Sequence, residues 1–174
     1  MKKRKTFIAM ALIIAVLVLG VGYAAINNIN LNINGTANIT ANADFDVAFD
    51  TSHTPSVVNA SASYTNATNA TVTVDLDSEK TTATAILKVD NNSTELSANL
   101  VATVGEVDVD LEKYAEITTE LCSDAACGTA LTGVVTKETS AYVKVTANLK
   151  KNPAQDVKNK TFSVSLVASP VDAN

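Results

Sequence analysis

Ile29-Asn30-Leu31-Asn32-Ile33-Asn34-Gly35-Thr36-Ala37-Asn38-Ile39-Thr40-Ala41-Asn42-Ala43-Asp44-Phe45-Asp46-Val47-Ala48-Phe49 is the stretch that decides the fold. Its odd positions Ile29, Leu31, Ile33, Ala37, Ile39, Ala41, Ala43, Phe45, Val47 and Phe49 are apolar, and mostly Asn, Thr and Asp stand between them. Side chains that alternate in this way belong to a strand with one dry face and one wet face. The run is too long to be one strand of typical length, and Asn34-Gly35 is the natural place to divide it. A two-residue turn there would pair Ile33 with Thr36 and force the apolar parity to switch, which it does not do. A three-residue loop at 34–36 keeps the parity by pairing Ile33 with Ala37. A bend in one ribbon that passes between two sheets keeps it as well, and both readings stay open.

Upstream of this stretch, Lys2, Lys3, Arg4 and Lys5 precede an uncharged apolar run over residues 7–26. A basic segment, an apolar segment and the small-residue ending Gly22-Tyr23-Ala24-Ala25 together match a secretory signal peptide cut by a signal peptidase between Ala24 and Ala25. The alternative is a retained membrane anchor, because about 20 apolar residues cross a bilayer, and the positive charge keeps the N-terminus inside in either case. Cleavage is favoured by the helix-breaking, small-residue run from Gly20 to Ala25. The expected organisation is therefore a signal peptide at 1–24, an N-terminal strand at 25–36 and a β-domain at 37–174. The expected location is extracellular or cell-surface, with membrane contact only through residues 7–26.

Cutting after Ala24 leaves a chain of single-domain size. Losing the four basic residues also takes the formal net charge from -5 to -9. So acidic a domain excludes nucleic acid as a partner class. Aromatic residues are 5% of the chain and Trp is absent, which weighs against a carbohydrate site of stacked rings. Much of the 47% hydrophobic content is Ala and Val, so a thin, evenly packed core is expected.

Further alternating segments lie at 56–64, 70–76, 81–89, 98–104, 115–121, 131–135, 139–149 and 161–168. In two of them the inward set is explicit: Ala141, Val143, Val145, Ala147 and Leu149, then Phe162, Val164, Leu166 and Ala168. Turn chemistry separates them, as in Asp90-Asn91-Asn92-Ser93 and Lys151-Asn152-Pro153, and only residues 107–114 leave room for a helical turn. Many short strands at this spacing predict an all-β fold, an antiparallel β-sandwich of the jelly-roll or immunoglobulin-like kind, following the N-terminal signal or transmembrane helix.

Cys122 and Cys127 enclose four residues between two strand segments, and in an exported chain they read as a disulfide stapling a hairpin tip. So short a loop contributes only about 2 kcal/mol through chain entropy. Two thiolates without a nearby His fall short of a metal site. Acidic residues alternate at Asp44/Asp46, at Asp75/Asp77/Glu79 and at Glu106/Asp108/Asp110. Two such groups meeting at one edge could hold calcium, but solvated strand faces are the plainer reading. Asn-x-Ser/Thr triplets at Asn34, Asn38, Asn59, Asn66, Asn69, Asn91, Asn92 and Asn159 follow from composition in a chain whose leader reads as bacterial. His53 is the only histidine; no triad, H-E-x-x-H or phosphate loop is present, so no enzymatic activity and no cofactor are expected.

Gly22-Tyr23-Ala24-Ala25-Ile26, Ile33-Asn34-Gly35-Thr36-Ala37, the Asp- and Phe-rich strand 44–49 and Thr161-Phe162-Ser163-Val164-Ser165-Leu166 together resemble the TasA/camelysin type of exported surface protein. That resemblance implies a jelly-roll subunit that self-associates into matrix fibres when its N-terminal strand completes a neighbour's sheet. The metalloprotease label of camelysins is not carried over, because no His pair is there to receive it. Ile29, Leu31 and Ile33 form the expected assembly strand, an apolar comb close to the new N-terminus. The rival expectation is a monomeric surface domain, secreted or membrane-anchored, that binds a ligand through loops such as the Cys122 to Cys127 hairpin.

Overall fold

A computed structural model of the chain describes residues 29–33, 44–132, 134–153 and 160–172, with the backbone alone for 29–33. The leader, the cleavage pair Ala24 and Ala25, and the 34–43 continuation of the alternating run lie outside the described residues.

Among the described residues, ten strands and one short helix follow in chain order: β1 Ile29–Ile33, β2 Val47–Phe49, β3 Ser56–Val58, β4 Ala60–Asn66, β5 Asn69–Val74, β6 Thr82–Asn91, β7 Leu96–Val107, α1 Val109–Tyr114, β8 Ala115–Cys122, β9 Thr139–Leu149 and β10 Phe162–Asp172. The described residues are mostly antiparallel β-structure, as an all-β fold requires. One sheet has the order β4-β5-β1-β10-β7; the other has β2-β6-β9-β8, with β3 also on β6. Only the β1/β5 pair is parallel among these strands.

Alternation decides what is buried. Ala83, Ala85, Leu87 and Val89 of β6, Ala141, Val143, Val145 and Ala147 of β9, and Phe162, Val164, Leu166 and Ala168 of β10 are all buried. Residues from both sheets join in one core cluster, together with Phe45, Val47 and Phe49. The inward sets expected for β9 and β10 are therefore buried, apart from Leu149, which is half-buried. Most of the core cluster is Ala and Val, with Phe45, Phe49 and Phe162 as its largest members.

The expected strand over 56–64 is broken at Asn59, whose φ of 48° is left-handed. β3 belongs to the second sheet and β4 to the first, so Asn59 is the corner where the chain changes sheets. Its Nδ2 donates to the Thr82 carbonyl at 2.8 Å, and its own carbonyl accepts from the Asp75 N–H at 2.9 Å. Asn visits this backbone region more readily than other residues with a Cβ. Asn59→Val is expected to cost about 2–3 kcal/mol, from backbone strain plus one lost hydrogen bond. Asn59→Gly, which keeps the conformation, should cost about 1 kcal/mol by urea denaturation; equal losses would reject the corner role.

No strand is found at residues 131, 132, 134 and 135, the described part of the expected 131–135 segment; Val135 makes an isolated bridge to Ala98, and Ala130 one to Cys122. Val135 and Ala98 exchange both backbone hydrogen bonds at 2.8 Å, the Leu131 N–H donates to the Leu121 carbonyl at 2.8 Å, and a side chain adds to these. Buried Asn91 donates through Nδ2 to the carbonyls of Leu96, Val135 and Thr136 at 3.0, 3.2 and 3.3 Å. The helical turn expected within 107–114 is α1, capped by the Asp108 carboxylate, which accepts the Asp110 N–H at 2.9 Å. The β7/β10 ladder shifts register between Phe162 and Val164, where Gly105 and Glu106 of β7 stand against the single Ser163 of β10, and Gly105 lies where any Cβ would collide with the Ser163 hydroxyl.

Candidate assembly site

β1 lies inside its sheet, not at the rim. Ile29, Leu31 and Ile33 are the register partners of Ala168, Leu166 and Val164 on β10, all of them buried. On its other side β1 runs parallel to β5, with Asn32 opposite Asn69 and Ile33 opposite Ala70. Ala70 is buried too, so both walls of this slot contribute to the core. Parallel neighbours cannot be joined by a tight hairpin. Here the two are separated in sequence by β2, β3 and β4, of which β2 and β3 lie in the other sheet. In the strand order, β5 and β10 are joined only through β1; without it the sheet would be two separate pairs, β4-β5 and β10-β7.

The described ends of the alternating run, β1 and β2, stand in different sheets. Residues 34–43, on which the loop and bend readings turn, lie outside the described residues.

Cys122 and Cys127 are joined as a disulfide with Cα atoms 5.1 Å apart. Asp124 organises the same loop: its carboxylate accepts the backbone N–H groups of Gly128, Thr129 and Ala126 at 3.1, 2.7 and 3.0 Å. These bonds, that from Gly128 foremost, hold its carboxyl below the usual range. Among the described residues, the one group of three potential metal ligands is Glu120 with these two cysteines. Sulfurs bonded to each other are not thiolate ligands.

The three acidic groups are each engaged locally. Asp44 and Asp46 accept from Thr94 Oγ1 and Asn92 Nδ2 at 2.6 and 3.2 Å. Lys80 Nζ sits 2.9 Å from Asp75 and 3.5 Å from Asp77, and Lys160 Nζ sits 2.6 Å from Asp110 and 3.5 Å from Asp108. Asp77 also closes its own turn by accepting the N–H groups of Glu79 and Lys80. Of the groups whose alternation suggested calcium, Asp77 closes a turn and Asp108 caps α1, while Asp44, Asp46, Asp75 and Asp110 hold side chains of other segments or turns. His53 packs edge-on against Tyr142, ring centroids 6.2 Å apart.

A lysine held between two carboxylates, unforeseen from spacing, lies on the second sheet. Lys88 Nζ is 2.8 Å from Asp50 and 3.1 Å from Asp90. The Lys88 hydrogen bond holds the Asp50 carboxyl far below its ordinary range, and Asp50 in turn raises Lys88. A depressed carboxyl contributes stability above the ordinary carboxylate pKa of about 4 and loses it as pH falls through the lower folded value. Between about pH 5 and pH 2 the urea midpoint of Asp50→Asn is therefore expected to fall less than that of the unaltered protein. Equal acid sensitivity would count against the pair.

No family model, curated protein or solved structure matches this chain.

Proposed function

We propose that the protein is an exported structural subunit of a cell-surface or matrix fibre, a jelly-roll-like β-sandwich that assembles by donating its N-terminal strand. The observation that carries this reading is the position of β1: the first described strand fills the middle of a sheet whose two walls come from distant parts of the chain. A strand near a chain end can enter that slot from its own domain or from another copy, with the same backbone hydrogen bonds either way. Donation from each copy to the next is a heterologous contact, and it makes an open filament. Export through the basic and apolar leader, with cleavage between Ala24 and Ala25, frees this segment. No enzymatic activity belongs to the proposal.

The second reading, a monomeric surface domain that binds through its loops, draws support from the Cys122 to Cys127 hairpin, which is fixed by both a disulfide and Asp124. Deletion of residues 25–34 separates the two. The fibre reading expects filaments from the cleaved protein and none from the deleted one, read by electron microscopy and light scattering. Monomers in both samples would overturn it in favour of the loop-binding domain.

A further inference from the structure

One polar row crosses all five strands of the first sheet. Asn66 of β4 is the register partner of Asn69 of β5, Asn69 of Asn32 in β1, Asn32 of Ser165 in β10, and Ser165 of Thr103 in β7. The amide of Asn66 is fixed because its Oδ1 accepts the Thr68 backbone N–H at 2.9 Å, and Asn69 is oriented through it. Asn69 Nδ2 donates to Asn66 Oδ1 at 2.9 Å and to Thr68 Oγ1 at 3.0 Å. Its Oδ1 is buried and has no hydrogen-bond partner among the described residues. A buried acceptor without a donor is costly, and the adjacent register position is Asn32.

We infer that Asn69 is a specificity-determining residue of the strand slot, whose Oδ1 accepts a hydrogen bond from the side-chain amide of the inserted strand, Asn32 in the register seen here. Paired residues on neighbouring strands stand about 5 Å apart on one face of a sheet, within reach of two amides. The occupant this selects is the N-terminal segment of this same chain. Ile29-Asn30-Leu31-Asn32-Ile33-Asn34 places an amide at every second position. A slip by one residue would set Ile or Leu against Asn69, leaving its oxygen unpaired and turning the apolar comb outward. A slip by two brings Asn30 or Asn34 to the same oxygen and keeps the comb inward. Asn69 therefore enforces the parity and the amide chemistry of the entering strand, while the repeat tolerates even slips. The inference needs only that this segment occupies the slot; whether it comes from the same copy or the next belongs to the proposed function.

Cysteine pairs in the otherwise unaltered chain test the placement. Asn32→Cys with Asn69→Cys is expected to cross-link under mild oxidation, since neighbouring strands bring Cα atoms into the disulfide range of about 4.4–6.8 Å. Pairs that combine Asn69→Cys with Asn30→Cys or Asn34→Cys report the slipped registers. A cross-linked ladder on a non-reducing gel supports both the slot and the fibre. Cross-linking within single chains keeps the role of Asn69 and removes the fibre reading. No cross-link from position 69 to 30, 32 or 34 overturns the inference. The amide bond itself is read by urea unfolding of Asn69→Leu, Asn32→Leu and the double variant. The double variant should be about three- to tenfold more stable, in folding constant, than the product of the single effects predicts. Additive effects in a protein that forms the 32–69 cross-link would overturn it.

Discussion

Leu166→Ala is expected to lower the stability of the protein by about 2–5 kcal/mol. Leu166 is 0% exposed and sits mid-strand on β10, between the register positions of Leu31 on β1 and Ala102 on β7. Its neighbours in the core are mainly Ala and Val, short side chains that cannot reach into the space a lost isobutyl group leaves. The effect should therefore lie towards the upper end of the range, because cavity cost grows where collapse is hindered. Urea denaturation should show a lower midpoint with an unchanged slope. Val167→Ala, one residue along and half-buried on the other face, is the control and should cost about 1 kcal/mol or less. Comparable losses at the two positions would mean that β10 does not present Leu166 to a packed interior.

Leu31→Asp is the second large effect. Its register partner Leu166 is fully buried, so an aspartate at position 31 would have to enter the same apolar layer. Burying a carboxylate without a partner costs several kcal/mol, more than a five-residue strand recovers through its ladder, so β1 should leave the slot. In the fibre reading the variant stays monomeric, and in either reading β5 and β10 lose protection from hydrogen exchange. Asn30→Asp, which is opposite in parity, should leave exchange and assembly nearly unchanged. A variant at 31 that assembles as well as the one at 30 would refute the placement of the comb.

The parity argument made much of this fold readable, and its failures have physical causes. β6, β9 and β10 were plain in the sequence because each keeps one apolar face through several steps, and that face is the one buried. The corner at Asn59 was missed because Val57, Val58, Ala60 and Ala62 look like one continuous strand. The signal was the Asn itself, a residue suited to a left-handed backbone. Residues 131–135 looked apolar enough for a strand, yet the segment pairs only at single points, Leu131 with Leu121 and Val135 with Ala98, and takes a further bond from Asn91, 44 residues away in sequence. β10 runs past the expected end to Asp172 despite Pro170. Beyond Ala168 only β7 flanks it among the described residues, and a missing N–H is tolerated at such an edge. For the site, the apolar comb Ile29, Leu31 and Ile33 was legible from spacing alone. Its position between β5 and β10 was not, because register with distant strands is a tertiary property that one strand's pattern does not encode.

The chain contains no tryptophan and only four tyrosines, so its ultraviolet signature is a tyrosine signature. One of them stands at a structural seam. β2 and β3 lie end to end along β6, and in the gap between them the Lys88 N–H donates to the Tyr64 hydroxyl at 2.8 Å. Tyr64 belongs to the opposite sheet and leans on Phe49, with ring centroids 5.7 Å apart. Burial raises its pKa, so the phenol stays neutral above the pH at which an ordinary tyrosine ionises. The protein thus carries a built-in optical gauge. In an alkaline spectrophotometric titration, ionisation of Tyr64 above the ordinary tyrosine range marks the loss of this contact between the two sheets.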